Sequence, residues 1–259
     1  MLRFLNYRLM NKQKMRKIRK EIQKIIPLWA MRLASSKVFT RTSYSQCGED
    51  LLVVMALSLI KGNVPFSYLD IGANDPYLLS NTALLYKKRG HGFLVEPNPE
   101  LAKRLKYGRG NRDQVLQCGV SFSDEDESEL FIMDAHVLST FSKEEAYRYV
   151  SLGHRISSTV RVPMMNINDI LIMTGGVDFM NLDVEGVDEK ILRIIDWNRH
   201  RPVCICVETI TYETSKEPKK LQGLIDFMIA QEYMVFADTF INTIFVDRRK
   251  WRQRFYTSD

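Results

Sequence analysis

The chain has 259 residues, of which 45% are apolar and 26% charged, enough to bury one sizeable core and far from disordered, collagen-like or disulfide-scaffold compositions. Its formal charge of +6 is unevenly spread: residues 1–41 hold 12 Lys or Arg against one acid, Glu21, so this arm carries +11 and positions 42–259 carry −5. A basic appendage on a mildly acidic body argues against a nucleic-acid enzyme.

In the arm, Met15, Ile18, Ile22, Ile25 and Trp29 recur at three- and four-residue spacing. Lys12, Arg16, Lys17, Arg19, Lys20 and Lys24 fill the other faces, which predicts a basic amphipathic helix that Pro27 ends or kinks near Ile26. We divide the chain into this arm, residues 1–42, and a body, residues 43–259. The arm suits an anionic membrane surface, packing on the body, pairing with a second protomer, or contact with nucleic acid. No apolar run approaches the roughly 20 residues of a membrane span, and the N-terminus lacks the order of a secretory signal. The expected location is therefore the cytoplasm, with peripheral attachment to the inner face of the membrane as the alternative. Cys47, Cys118, Cys204 and Cys206 form no zinc or redox spacing, and Cys204 and Cys206, two apart in a strand-like run, read as small buried hydrophobes.

Beyond residue 67, short apolar runs alternate with amphipathic stretches. Ser67 to Ile71, Gly92 to Val95, Val115 to Val120, Phe179 to Leu182 and Val203 to Val207 read as parallel strands buried on both faces. Asn81 to Arg89, Pro97 to Lys106, Val187 to Ile195 and Lys216 to Gln231 read as the helices between them. Leu130 to Met133 and Thr159 to Met165 predict an extra antiparallel pair in a β-rich insert over residues 120–170, and Tyr233 to Phe236 with Thr243 to Val246 predict a terminal hairpin. The order is that of a class I methyltransferase, an α/β Rossmann-like sheet, mostly parallel with a C-terminal antiparallel hairpin and helices on both faces.

The first strand ends in Asp70-Ile71-Gly72-Ala73-Asn74, where small residues let a ligand approach the backbone and Asp70 offers a carboxylate. Glu96 ends the next strand, placed to accept hydrogen bonds from both hydroxyls of a ribose. The complete Gly-x-Gly-x-x-Gly fingerprint of a dinucleotide pyrophosphate is absent, which favours an adenosine ligand without phosphate. Asp183 and Glu185 follow the fourth strand, at the edge where open α/β sheets bind ligands.

The runs Ser45-Gln46-Cys47-Gly48-Glu49-Asp50, Leu69 to Asn74, Val95-Glu96-Pro97-Asn98-Pro99 and Asn181-Leu182-Asp183-Val184-Glu185-Gly186 together resemble the FkbM-type S-adenosylmethionine-dependent methyltransferases. That resemblance implies O-methyl transfer to a hydroxyl of a saccharide or related metabolite, with S-adenosylmethionine as cofactor. It also implies that Asp70, Gly72, Ala73 and Asn74 line the methionine side, Glu96 holds the ribose, Ser121 sits near adenine, and Ser45 and Gln46 close over the site. Pro76 and Tyr77 are less usual in this pattern and leave the shape of the methionine end open.

Asp183, with Glu185, is the candidate base or acceptor-orienting group. Glu185 has a bland alternative, stabilising the first turn of the following helix. Asp183, Glu185 and Glu208 would be the ligands of a divalent cation, but no His lies in these runs and the reading without metal is preferred. The expected partner is a small-molecule or glycan hydroxyl acceptor and not a nucleic acid. Two other classes stay open on sequence: a nicotinamide-dependent reductase or epimerase, and a non-catalytic scaffold for glycan assembly.

Overall fold

The computed structural model describes residues 41–122, 126–184, 186–211 and 218–254. The arm's helical reading and Glu185 lie outside them. Eight helices and ten strands are used below, in chain order: α1 (Glu49–Lys61), β1 (Ser67–Ile71), α2 (Ala83–Lys87), β2 (His91–Val95), α3 (Pro99–Arg109), β3 (Gln114–Leu116), β4 (Gly119–Ser121), β5 (Glu127–Met133), α4 (Lys143–Ser151), β6 (Ile156–Asn166), α5 (Ile167–Thr174), β7 (Phe179–Leu182), α6 (Asp188–Ile194), β8 (Cys204–Glu208), α7 (Gln222–Ala230), β9 (Tyr233–Asp238), β10 (Asn242–Asp247) and α8 (Arg248–Gln253).

Seven strands form one sheet in the order β3-β2-β1-β7-β8-β10-β9. The first five run parallel, and β10 pairs antiparallel with both β8 and β9. This is the class I methyltransferase sheet. Residue alternation fills both faces. Leu69, Ile71, Ile205 and Val207 face a core completed by α5, α6 and α7, while Tyr68, Phe179, Cys204 and Cys206 face α1, α2 and α3. Cys204 and Cys206 are fully buried thiols, as small hydrophobes of one face should be, and burial raises the pKa of both.

Three elements differ from the sequence reading. The run Val115 to Val120 breaks at Gln117, so that β3 pairs β2 in the main sheet while β4 pairs β6 in a separate sheet ordered β4-β6-β5. Two sheets need edges from one stretch, and local apolar character cannot show where the chain changes sheet. Of the helix expected over Lys216 to Gln231, the described part is helical from Gln222, while before it Leu221 N–H donates to Thr209 O at 2.9 Å and Lys220 is tied to the strand ends. The predicted antiparallel pair is present as β5–β6, but the insert also carries α4, and α5 follows β6 directly.

Candidate active site at the strand ends

Strand order reverses at β1, with β2 and β3 on one side and β7 and β8 on the other. The crevice outside the carboxyl ends of β1, β2 and β7 is therefore where this architecture binds ligands. The turn after β1 is pinned to both neighbours: Gly72 and Ala73 N–H donate to Val95 O at 3.0 and 3.1 Å, and Asp183 N–H donates to Ile71 O at 3.1 Å. Gly72 has φ +81°, and a Cβ built there would lie 1.9 Å from the carbonyl oxygen of Asp183. The glycine is thus required by the approach of the β7 end, whereas the sequence reading attributed it to a ligand. Asn74, at φ +49°, adopts the left-handed backbone that Asn tolerates better than most residues.

Glu96 is 5% exposed and accepts Asn74 N–H on Oε2 at 2.9 Å and Asn98 N–H on Oε1 at 2.8 Å. Burial pushes its carboxyl up to about 7 against those two bonds, and the charge of Asp70 adds to the rise. Each oxygen keeps a lone pair for a further donor. Asn98 caps α3 through Oδ1, which accepts Glu100 N–H at 3.0 Å, while its buried Nδ2 has no hydrogen-bond partner among the described residues. The sequence reading missed Asn98 because an Asn before Pro99 is sufficiently explained as a helix cap.

Asp70 lies lower, inside the α2–α3 face. Its Oδ2 accepts the Thr82 hydroxyl and its Oδ1 accepts Asn181 Nδ2 at 2.9 Å, while Asn181 Oδ1 accepts Asn81 Nδ2 at 2.9 Å. Behind Thr82 stands Arg109, with no exposed surface, donating to Thr82 Oγ1 at 3.1 Å, Ser80 Oγ at 2.9 Å, Pro76 O at 2.7 Å and Asp113 Oδ2 at 3.3 Å. Tyr68 OH donates to Asp113 at 2.7 Å. Burial raises both Asp70 and Asp113, with the Arg109 charge opposing it. Tyr77 OH donates to Gly108 O at 2.5 Å and Arg104 pairs with Asp75 at 2.7 Å, so the Asp75 to Tyr77 loop is clamped to α3.

Asp183 is exposed at the end of β7. Desolvation by the surrounding protein pushes its carboxyl up to about 6, and Asp70 adds its charge. Its loop is held from below by Asp188, 5% exposed, whose carboxylate accepts Val184 N–H at 3.2 Å and Gly186 N–H at 3.3 Å. Burial, then the charge of Asp183, pushes Asp188 up to about 7. Glu185 lies outside the described residues. Glu208 ends β8, opposite Asn242 of β10. Among the described residues no group of three His, Cys, Asp or Glu side chains forms a cation site.

Ser45 is engaged at the start of α1, its hydroxyl donating to Asp50 at 3.1 Å and accepting Gly48 N–H at 3.1 Å, and Gln46 is exposed beside it. Glu49 accepts Thr239 Oγ1 at 2.7 Å and Asn242 Nδ2 at 3.1 Å, which sets this segment at the same sheet edge as the β9–β10 turn. Ser121 is buried at the end of β4, opposite Asn166. A 450 Å³ cavity on the insert is lined by residues such as Phe131, Phe141 and Arg161, and it includes none of the main-sheet strand ends.

The family profile described as the methyltransferase FkbM domain matches residues 70–236, which spans the turn after β1, Glu96, β7 and the start of the hairpin. The chain belongs to this family. A search of curated proteins finds no match. Among solved structures, cofactor-bound Rv0187 from MTB is 12% identical, with 86% of this chain and 90% of that chain covered and a TM-score of 0.41. The O-methyltransferase from Bacillus cereus in complex with SAH is 12% identical, with 83% and 88% covered and a TM-score of 0.36. A precorrin-6y C5,15-methyltransferase from Geobacter metallireducens GS-15 is 14% identical, with 71% of each chain covered and a TM-score of 0.37. The class I assignment rests on the strand order and the family match.

As an FkbM methyltransferase the chain uses S-adenosylmethionine, and the residues at the crevice fit it. After desolvation, neighbouring carboxylate charges add to the rise of Glu96, Asp183 and Asp188 at this edge, a repulsion that a ligand carrying a sulfonium and an ammonium would relieve. The buried Asn98 Nδ2 supplies a donor still seeking an acceptor.

Proposed function

We propose that this FkbM methyltransferase methylates a hydroxyl, on a saccharide or related hydroxylated metabolite. The observation that supports oxygen as the acceptor atom is Asp183, an exposed carboxyl at the switch point that desolvation by the surrounding protein, and then the charge of Asp70, raise to about 6. An alcohol gains nucleophilicity by losing its proton during attack, so it benefits from a base within reach, whereas a neutral amine does not need one. At neutral pH Asp183 is ionised and more basic than an ordinary aspartate, and it takes that proton. Asp188 fixes the loop that aims it. When bound, S-adenosylmethionine supplies an electrophilic methyl group on sulfur. Glu96 would accept hydrogen bonds from the two ribose hydroxyls, the Gly72 to Asn74 turn would border the methionine part, and Ser121 would lie toward adenine. Asp70 acts from below, fixing the turn through Thr82 and Asn181.

The reading is tested by incubating the protein with methyl-labelled S-adenosylmethionine and fractionated glycans and small metabolites, followed by mass spectrometry. One methyl mass added at a hydroxyl is the expected result. Methylation confined to amines or carbon, with every hydroxylated fraction unmodified, would overturn it.

The role of Glu96 has a pH signature. A carboxyl whose folded pKa is raised costs the free protein stability as pH rises from the ordinary carboxylate range through about 7. Hydroxyl donors bind the ionised form, so affinity for S-adenosylhomocysteine is expected to be flat above about 7.5 and to weaken toward about tenfold per unit below about 7. Calorimetric titration of wild type and Glu96→Gln checks it. The variant should bind about 10- to 100-fold more weakly, the worth of charge-assisted hydrogen bonds, and lose the pH slope. A slope unchanged in the variant would take Glu96 out of the ribose site.

A further inference from the structure

We infer that the sheet edge carrying the cofactor crevice docks on an anionic membrane surface through Leu78, Leu79 and Phe240, next to the point where the basic arm joins the body. Leu78 is 70% exposed, Leu79 55% and Phe240 58%. Two of them sit in left-handed backbone, Leu79 at φ +56° and Phe240 at φ +76°, where a bulky side chain is disfavoured and Gly or Asn would be relaxed. Exposed large apolar side chains held in a conformation that a smaller residue would relieve point to use of the side chains themselves.

The three residues flank one short stretch of chain. Tyr44 packs on Tyr77, immediately before Leu78, with ring centroids 6.3 Å apart. Glu49 accepts the hydroxyl of Thr239, immediately before Phe240, at 2.7 Å. Residues 44–49 therefore bridge the two apolar sites, and the chain preceding them is the arm, with 12 Lys or Arg against Glu21. Apolar anchors beside the attachment point of a segment carrying +11 are the two complementary parts of an anionic bilayer site: side chains enter the interface while the basic segment is drawn to acidic headgroups. Lys87 adds a cation here, its Nζ 4.4 Å from the Tyr77 ring centroid. No described helix is long and apolar enough to cross a membrane. The crevice then opens toward the lipid–water interface.

Flotation of the full chain with phosphatidylcholine vesicles, with and without phosphatidylserine, tests this. Wild type should float with the serine-containing vesicles, lose binding at high salt, and stay down with phosphatidylcholine alone. The triple variant L78S/L79N/F240N, which places Asn at both left-handed positions and so should melt no lower than wild type, is expected to partition about a hundredfold more weakly. A triple variant that floats like wild type would overturn the docking surface and leave any attachment to the arm. Absence of wild-type flotation would overturn it too. So would a dimer, seen by light scattering, that the triple variant dissolves without wild type binding vesicles, since the occupant would then be a second copy.

Discussion

Asp183→Asn is expected to bind S-adenosylhomocysteine about as well as wild type and to lose roughly 10²- to 10⁴-fold in kcat on a hydroxyl acceptor, the usual contribution of a placed base. The substitution preserves size, and the backbone of residue 183 is fixed independently of its side chain by the bond from its N–H to Ile71 O and by the contact of its carbonyl with Gly72. The loop itself hangs on Asp188 through Val184 and Gly186 N–H. What disappears is the proton acceptor. In wild type, kcat should fall as pH drops through about 6, where Asp183 is protonated, and this acid limb should vanish from the residual rate of the variant. Removing the negative charge at 183 also lowers the neighbouring Asp188, whose rise depends in part on it. Single-turnover rates set against calorimetric binding constants separate the two effects. A variant with wild-type kcat would remove Asp183 from proton transfer, and one with intact single-turnover rate but lost cofactor binding would make it a binding residue instead.

The second large effect is expected at a residue that no ligand touches. Arg109→Met should destabilise the fold by about 3–5 kcal/mol, the range for breaking a buried ion pair by removing one partner. At roughly 2–4 °C per kcal/mol for a chain of this size, the melting temperature should drop about 6–20 °C. Arg109 is wholly buried and meets Asp113, Ser80, Thr82 and the carbonyl of Pro76, all of which lose a donor together. Asp70 and Asp113, already raised by burial, lose the cation that opposes that rise. The Pro76 bond also ties the loop after β1 to α3, so cofactor affinity should weaken in parallel. Thermal melts by circular dichroism check the first part and titration with S-adenosylhomocysteine the second. A melting temperature within about 2 °C of wild type would mean that the network adds no net stability, as well-packed apolar replacements of buried ion pairs sometimes show.

The alternation of apolar strands with amphipathic helices, the closing hairpin and the acids at strand ends were all legible from the chain alone. Each is a local property: burial on two faces writes a continuous apolar run, and a strand-end carboxylate stands out beside it. The break between β3 and β4 was not, since the change of sheet at Gln117 and Cys118 depends on β6, more than 35 residues away. Asp70 reads as a ligand-facing acid in sequence because its neighbours Gly72 and Asn74 border the crevice. Only folding brings Thr82 and Asn181 against its two oxygens. Arg109 and Asp113 carried no motif at all and are defined solely by burial.

What the sequence determined by itself is therefore the architecture and the family, and it singled out Glu96 and Asp183 as candidates, because periodicity and strand-end position are encoded within a few residues. The tertiary structure alone decided which carboxylates stay open to a ligand and which are consumed in the network beneath. It also decided why Gly72 must be glycine and which side chains stay exposed near residues 44–49. Those depend on distances between segments about 100 residues apart, such as Gly72 against Asp183, and electrostatic and steric demands act through space rather than along the chain.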